Sequence, residues 1–266
     1  MAEHRLEGKV AVVTGGGSGI GRAAAMRFAR EGAAVVVADV VADNAEAVAK
    51  EIEQEGGRAV GMGVDVTDPD QVRGMVEAAK REFGGVDVLM TAAGVLGFGD
   101  VVSTEMETWH RSIGVNLTGT FLCAREAIPA MRERGGGSII TMSSSTGHHD
   151  VAPGTAAYCA SKGGVAALTK CIGIDHAKEG IRANAIAPGP TATPMLQSVM
   201  TPDELQAFGA AMPIGRLAQP DELAAAAAFL ASDDASYVTG AVFAVDGGQT
   251  AKVGMTLDDL GTVARQ

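Results

Sequence analysis

The feature that most constrains the fold of this chain is the alternation of short apolar runs with longer segments of helical periodicity. The runs are almost wholly apolar, which is typical of parallel strands covered on both faces. Because helical segments separate them, we predict a doubly wound α/β fold: a mainly parallel sheet of seven strands with helices on both faces. The predicted strands are residues 10–14, 34–39, 59–66, 86–94, 137–144, 181–189 and 241–248.

Helical patterns fill the segments between these strands. The helix after the first strand ends near Gly32, and the next one spans Asn44 to Glu55. Asp68 and Pro69 predict a helix start, with Asp68 as N-cap and Pro69 at the first helical position. Further helices are predicted around residues 104–134, 158–179, 202–211 and 220–231. No linker or repeat divides the chain, so we predict one domain over residues 1–266.

Composition and charge exclude several classes of function. The chain has 266 residues, of which 47% are hydrophobic and 20% charged, as in globular proteins. Its net charge of -11 argues against nonspecific binding to nucleic acid or to an anionic membrane. Cys123, Cys159 and Cys171 are too few and too scattered for a disulfide framework. The N-terminus has no apolar signal segment, so we expect a cytoplasmic protein with free thiols.

A glycine-rich turn, TGGGSGIG, lies between the first strand and the first helix. Its glycines fit the pattern G-x-x-x-G-x-G at Gly15, Gly19 and Gly21. Glycines at these points permit a tight turn, and the N–H groups of the helix N-terminus can bind a pyrophosphate. The turn, including Ser18 and Ile20, therefore predicts a dinucleotide site on a Rossmann-type sheet.

Acidic residues follow the second and third predicted strands. Asp39 comes eighteen residues after Gly21, where a carboxylate can bind the adenine ribose hydroxyls and would repel a 2′-phosphate. The turn contains no Lys or Arg, and Arg22 comes just after it, so we predict NAD in preference to NADP. Asp39 could instead begin a solvated loop. Asp65, followed by Val66, is a candidate partner for the adenine amino group or a turn residue.

The stretch YCASK places Lys162 four residues after Tyr158. On a helix these two side chains project from one face. Lowering the pKa of a tyrosine from about 10 to about 7 takes roughly 4 kcal/mol, and one cation about 4 Å away supplies an energy of that order. The pair is thus a candidate proton carrier, although it can also arise by chance. Cys159 between them is either a packing residue or a reactive thiol.

In combination and in order, these motifs resemble the short-chain dehydrogenase/reductase family over nearly the whole chain, from LEGKVAVVTGGGSGIGRA to YVTGAVFAVDGG. The resemblance implies that Tyr158 exchanges a proton with an alcohol or ketone while a hydride passes to or from the nicotinamide. It also implies that Lys162 lowers the pKa of Tyr158 and binds the nicotinamide ribose. Asn116, in VNLTG, would hold a water in the proton relay.

The resemblance also implies a catalytic serine in MSSSTG. Counting back from Gly147 selects Ser144, whereas the usual interval to Tyr158 selects Ser145; we take Ser144. The segment IAPGPTATPM resembles the part of the family that passes the nicotinamide. The remaining cofactor-binding residues that the resemblance implies are Ala93, Gly94, Pro188, Gly189, Thr191 and Thr193, together with Tyr158 and Lys162.

Two segments depart from the family pattern. Thr91-Ala92-Ala93-Gly94 stands where the family has Asn-Asn-Ala-Gly. His148, His149 and Asp150 form an unusual loop; adjacent side chains rarely chelate one ion, so we predict no metal and expect a substrate-facing loop or a solvated turn. Candidate pocket residues are Leu96, Phe98 and those of segments 148–151 and 190–200.

The predicted function is hydride transfer between NAD(H) and a secondary alcohol or ketone. The apolar pocket candidates favour a small or medium substrate, whereas the His148–Val151 loop would suit a polyol or sugar. A 3-oxoacyl (carrier-protein) reductase and a catalytically silent NAD-binding sensor are the alternatives. The resemblance implies a homotetramer, and the tail from residue 249 to residue 266 is either frayed or closes a neighbouring subunit's pocket.

Overall fold

The computed structural model describes residues 4–251 and contains all seven predicted strands. Their bounds are β1 (Val10–Thr14), β2 (Ala34–Asp39), β3 (Arg58–Gly63), β4 (Val88–Thr91), β5 (Gly137–Met142), β6 (Ile181–Pro188) and β7 (Val242–Val245). All are parallel and form one sheet in the order β3-β2-β1-β4-β5-β6-β7. The prediction of a doubly wound α/β fold is therefore confirmed.

Helices connect these strands. Their bounds are α1 (Gly19–Arg30), α2 (Ala42–Gln54), α3 (Pro69–Phe83), α4 (Met106–Ser112), α5 (Gly119–Glu133), α6 (Ala156–Asp175), α7 (Pro194–Gln197), α8 (Pro202–Ala210) and α9 (Pro220–Ala231). The predicted N-cap of α3 is present, because Asp68 accepts hydrogen bonds from the backbone N–H groups of Asp70 and Gln71. Within residues 4–251, every helix is too short or too polar to span a membrane.

The helix predicted over 104–134 is interrupted. Between α4 and α5 the chain forms a π-helical segment, Ile113–Thr118, whose wider turn carries Asn116. The predicted helix 158–179 ends as α6 at Asp175 and is followed by a short 3₁₀ turn, Ala177–Glu179.

Several predicted strands were too long. The third strand ends at Gly63, so Asp65 and Val66 lie in the loop that follows it. β4 extends only from Val88 to Thr91, and Thr91 pairs with Thr14, the last residue of β1.

The core lies on both faces of the sheet. Alternate side chains of β1 point to opposite sides, with Ala11 and Val13 packed beneath α1, α2 and α9, and Val10 and Val12 packed against α3 and α5. Phe28 of α1 is among the largest fully buried side chains. Burying a side chain such as Phe or Val stabilises the fold by about 1.5–3 kcal/mol.

The order of the strands creates a crevice at the carboxyl ends of the central strands, β1 and β4. From β1 the chain first moves outward to β2 and β3, and then returns to place β4 on the other side of β1. The loops after β1 and β4 therefore diverge at the carboxyl ends of the strands. Ligands of open α/β sheets bind in this crevice.

Candidate active site

A cleft of about 1430 Å³ lies over the carboxyl ends of the strands. It contains every residue that the sequence assigned to the cofactor: Gly15, Ser18, Gly19, Ile20, Gly21, Asp39, Asp65, Val66, Ala93, Gly94, Tyr158, Lys162, Pro188, Gly189, Thr191 and Thr193. Ser144 and Ser145 also line it. Strands, loops and helices far apart in the sequence thus converge on one site.

The glycine-rich turn has the shape of a dinucleotide cradle. Gly15 has a φ of 63°, and a Cβ added there would lie 2.6 Å from the backbone nitrogen of Ala93. A Cβ on Gly21 would collide with the carbonyl oxygen of Gly15. No side chain caps α1, so the N–H groups of its first turn remain for a ligand. These features fit a pyrophosphate held by backbone groups.

The Asp39 carboxylate links the end of β2 to the glycine-rich turn through hydrogen bonds. One carboxylate oxygen accepts a hydrogen bond from the Gly17 N–H at 3.0 Å, and the other accepts one from the Val41 N–H at 3.0 Å. The nearby cation, Arg22, is occupied: its Nη2 atom lies 2.6 and 2.7 Å from the two carboxylate oxygens of Glu51. This end of the cleft therefore presents the Asp39 carboxylate, and Arg22 on the adjoining helix is paired with Glu51.

Asp65 stands in the loop after β3 and lines the cleft. Its Oδ1 atom accepts hydrogen bonds from the backbone N–H and the hydroxyl of Thr67, at 2.8 and 2.7 Å. Asp65 therefore stabilises the turn that follows β3. Because Asp65 also lines the cleft, its position is compatible with a contact to adenine.

Tyr158 and Ser144 meet at the floor of the cleft. Tyr158 is near the N-terminus of α6, and the Ser144 side chain lies beside its phenol, close enough for hydrogen bonding to lower the pKa of Tyr158. Ser143 and Ser145 are engaged elsewhere, since the Ser143 hydroxyl donates to the Lys162 carbonyl at 2.9 Å and the Ser145 hydroxyl donates to Gln249 at 3.2 Å. Of the three serines, Ser144 is the one that contacts the phenol.

Burial changes the pKa values of the Tyr-Lys pair. Lys162 is 6% exposed, its ammonium donates to the Met142 carbonyl at 2.7 Å, and burial lowers its pKa to about 8. The ammonium lies 5.8 Å from the centre of the Tyr158 ring. Burial also raises the pKa of Tyr158, although the Ser144 hydrogen bond opposes the rise. Burial of Tyr158 thus opposes the lowering of its pKa that was expected from Lys162.

Asn116 lies behind the cleft and does not line it. Its side-chain amide exchanges two hydrogen bonds with the backbone of Val95, at 2.8 and 3.0 Å, and donates a third to the Ser161 hydroxyl at 2.9 Å. Ser161 in turn donates to the Tyr158 carbonyl at 2.7 Å. The asparagine thus joins the loop after β4 to the helix that carries Tyr158.

The segment after β6 closes the cleft from the other side. Gly189 passes so close to β7 that an added Cβ would lie 2.7 Å from the Asp246 Cα. Thr191 is buried and donates to the Gly189 carbonyl at 2.9 Å, whereas Thr193 caps α7. A Cβ on Gly19 would approach the Thr193 methyl group at 3.4 Å, so this segment packs over the glycine turn.

The other end of the cleft is mainly apolar. Leu96 and Phe98 line it as predicted, and so does most of the predicted segment 190–200, including Met195, Leu196, Val199 and Met200. The His148–Val151 loop does not line the cleft, so its assignment to the pocket is wrong. Its backbone turns back onto Ser145, whose carbonyl accepts hydrogen bonds from the N–H groups of His149 and Asp150.

This loop has none of the geometry of a metal site. The His148 and His149 rings meet edge to face with centroids 4.2 Å apart, and burial lowers the pKa of His148. Among residues 4–251, no group of three His, Cys, Asp or Glu side chains is arranged to hold a metal ion. Cys159 lies outside the cleft, 3.2 Å from the Thr155 hydroxyl, as expected of a helix packing residue.

The sequence analysis missed several cleft residues. Glu107, His110 and Arg111 line the cleft from α4, and Phe208 lines it from α8. The spacing of Glu107, His110 and Arg111 places them on one face of a helix. The sequence does not show that this face borders the cleft. Gln249 also lines the cleft, although we assigned it to the tail. The rest of that tail, from residue 252 onward, lies outside the described residues.

Comparisons with known proteins find relatives that match nearly the whole chain. A family model described as enoyl-(acyl carrier protein) reductase matches residues 15–250. A cis-4-hydroxycyclohexanecarboxylate dehydrogenase of Sinomonas cyclohexanicum is 45% identical over 91% of this chain and 97% of its own length.

Two solved structures are also similar. One is a short-chain type dehydrogenase/reductase from Mycobacterium marinum, with a TM-score of 0.89, 36% identity and coverage of 94% of this chain and 98% of that one. The other is a 7α-hydroxysteroid dehydrogenase complexed with NADH and 7-oxo glycochenodeoxycholic acid, with a TM-score of 0.88, 36% identity and coverage of 93% and 96%.

Proposed function

Because this chain belongs to the short-chain dehydrogenase/reductase family of oxidoreductases, we propose that it interconverts a cyclic secondary alcohol and its ketone with NAD. The observation that carries the proposal is the convergence of Tyr158, Ser144 and Lys162 in the same cleft as the glycine-rich turn. When bound there, the nicotinamide dinucleotide accepts or supplies the hydride.

The residues at the floor of the cleft transfer the proton and position the substrate and the cofactor. Tyr158 takes the hydroxyl proton of the alcohol, or returns it to the ketone, as a general base or acid. Ser144, whose side chain lies beside the phenol, orients the substrate oxygen toward it. Lys162 acts as a cation beside the nicotinamide ribose. Asn116 holds the helix of Tyr158 against the loop after β4 and helps to hold the water of the proton relay.

The adenosine end supports NAD in preference to NADP. A 2′-phosphate beside Asp39 would face a carboxylate, and like charges in contact are costly. Arg22, which could have bound such a phosphate, is paired with Glu51 through two short contacts. Asp65 and Val66 complete the wall of this end.

The apolar end supports a cyclic substrate. Leu96, Phe98 and Phe208 offer broad apolar surfaces, and the relative from Sinomonas cyclohexanicum is named for a six-membered ring that bears a hydroxyl group. A ring buries its apolar carbons in such a pocket and leaves the hydroxyl to reach Ser144 and Tyr158.

A homotetramer and a cytoplasmic location are part of the proposal. Trp109, Phe121 and Ile174 lie exposed on α4, α5 and α6, with Ile174 75% exposed, and a helix face of this kind would be covered by a second copy. Light scattering coupled to size exclusion would give the mass of the assembly. Three free thiols, at Cys123, Cys159 and Cys171, support a reducing compartment.

The test is reduced-cofactor formation, followed by absorbance, with NAD⁺ and with NADP⁺ against a panel of acyclic and cyclic secondary alcohols. We expect turnover of cyclic alcohols with NAD⁺ and little with NADP⁺. Turnover of a 3-oxoacyl thioester alone would favour the ketoreductase alternative. A protein that binds NADH but converts no substrate of either kind would refute the proposal in favour of a silent sensor.

A further inference from the structure

Gln249 connects the segment after β7 to the loop after β5 and also lines the cleft. Its Nε2 atom donates to the Asp150 carboxylate at 2.8 Å, and its Oε1 atom accepts from the Ser145 hydroxyl at 3.2 Å. A carboxylate oxygen accepts hydrogen bonds and does not donate them, so the NH₂ group of the amide must face Asp150. The orientation of the amide is thereby fixed.

The segment that carries Gln249 is itself held in place. Asp246 accepts hydrogen bonds from the backbone N–H groups of Gly248 and Thr250, at 3.0 and 2.9 Å. The Gln249 N–H donates to the Asp246 carbonyl at 3.1 Å. The Gly247 carbonyl accepts a hydrogen bond from the Ile214 N–H. The amide is therefore presented by a rigid turn.

Within residues 4–251, the two hydrogen bonds leave half of the amide's capacity unused. A primary amide has two N–H donors and two lone pairs, of which Gln249 uses one each. Beside it, the Oδ1 atom of Asp150 is buried and makes no hydrogen bond with the residues of the 4–251 segment. A hydroxyl group, which both donates and accepts, would match the remaining donor and lone pair of the amide.

Gln249 is connected through Ser145 to the Ser144–Tyr158 pair. Its hydrogen-bond partner Ser145 directly follows Ser144, whose side chain contacts Tyr158. Ser145 is also fixed through its N–H, which donates to the Pro188 carbonyl at 3.0 Å. The amide thus lies on the same wall of the cleft as the catalytic serine, one residue further along.

We propose that Gln249 binds a second hydroxyl group of the substrate, on a carbon next to the one that is oxidised, so that the preferred substrates are cyclic vicinal diols. This inference rests on the proposed dehydrogenase function. Asp150 is a positioning residue in it, because it acts by holding the amide. An apolar substituent at this point would leave the amide without a partner, and such a site discriminates against it.

The experiment compares three alcohols as substrates of one enzyme: cyclohexane-1,2-diol, 2-methylcyclohexanol and cyclohexanol. 2-Methylcyclohexanol replaces the second hydroxyl by a methyl group of similar size. The wild type should prefer the diol to 2-methylcyclohexanol in kcat/KM. Gln249→Met keeps the length of the side chain and removes its hydrogen bonds, and it should lower kcat/KM for the diol about tenfold. It should change the values for the other two alcohols less than about twofold.

Two further variants complete the design. Gln54→Met makes the same replacement on the exposed end of α2 and should leave all three values unchanged. Asp150→Asn keeps the size of the side chain but allows the Gln249 amide to turn, and should weaken the diol preference in the same direction as Gln249→Met. NADH titration and circular dichroism show whether each variant is folded.

Equal losses for all three alcohols in Gln249→Met would overturn the inference, since they would indicate a general change at Ser144. A wild type that converts cyclohexanol but shows no preference for the diol would overturn it as well, and would leave the proposed dehydrogenase function intact. A wild type that converts none of the three, nor any other alcohol of the panel, would overturn both.

Discussion

Replacing Lys162 by methionine should remove a pH dependence of stability that originates in the active site. Burial lowers the pKa of Lys162 from 10.5 to about 8, so the folded protein releases this proton more readily than the unfolded chain does. Below pH 8 both states carry the charge, and the folded state bears the full cost of burying it. Between pH 8 and 10.5 only the folded state has lost the proton, and stability therefore rises with pH.

The size of the effect follows from the difference between the two pKa values. It corresponds to about 3 kcal/mol in the free energy of unfolding, most of which appears between pH 7 and pH 10. Lys162→Met also leaves the Met142 carbonyl without its 2.7 Å donor, a cost of about 1–2 kcal/mol that does not depend on pH. The change of stability with pH therefore isolates the titration from the lost hydrogen bond.

Urea unfolding without added cofactor, at intervals from pH 6 to pH 10, measures this. The stability of Lys162→Met relative to wild type should fall by about 2–3 kcal/mol as the pH rises from 7 to 10. Lys50→Met, which removes an exposed lysine on α2, controls for the loss of one positive charge. A constant difference between Lys162→Met and wild type across this range would refute the argument that burial sets the pKa of Lys162.

Three further predictions concern the proposed site. Tyr158→Phe should lower kcat by about 10²–10⁴ with an unchanged circular dichroism spectrum, and retention of most activity would contradict the general-base role. Asp39→Ala should reduce the preference for NAD⁺ over NADP⁺ at least about tenfold in kcat/KM; an unchanged preference would show that the carboxylate does not face the ribose. Gly21→Ala should weaken NADH binding at least about tenfold in a fluorescence titration, because its Cβ collides with the Gly15 carbonyl. Gly74→Ala, in open space on α3, should leave NADH binding unaltered and raise stability by about 0.5–1 kcal/mol; equal NADH affinity in the two glycine variants would count against the cradle.

The sequence by itself determined the architecture and most of the predicted cofactor residues that line the cleft. Apolar runs bounded by helical periodicity predicted all seven strands, and Asp68 with Pro69 predicted the start of α3. Gly15 and Gly21 could be identified because backbone conformation and close approach act locally and leave a trace in residue type. These features depend on a few consecutive residues, which is why one sequence suffices to find them.

The choice of the serine needed the tertiary structure. MSSSTG contains three consecutive serines, and the spacing to Gly147 and to Tyr158 selected different ones. The structure distinguishes the three serines by their partners. Ser143 donates to the Lys162 carbonyl, Ser144 lies beside the Tyr158 phenol, and Ser145 donates to Gln249. Each of these partners comes from another element, so no local pattern could assign the three hydroxyl groups.

The presence of Gln249 in the cleft and the effect of burial on the pKa values of Tyr158 and Lys162 were likewise decided only by the tertiary structure. Gln249 stands 104 residues after Ser145, and the register of β6 and β7 brings them together. The same packing buries Lys162 and partly buries Tyr158, so that burial opposes the expected lowering of the tyrosine pKa. Burial is a property of the assembled sheet and helices, since it depends on what covers a residue and not on its neighbours in the chain.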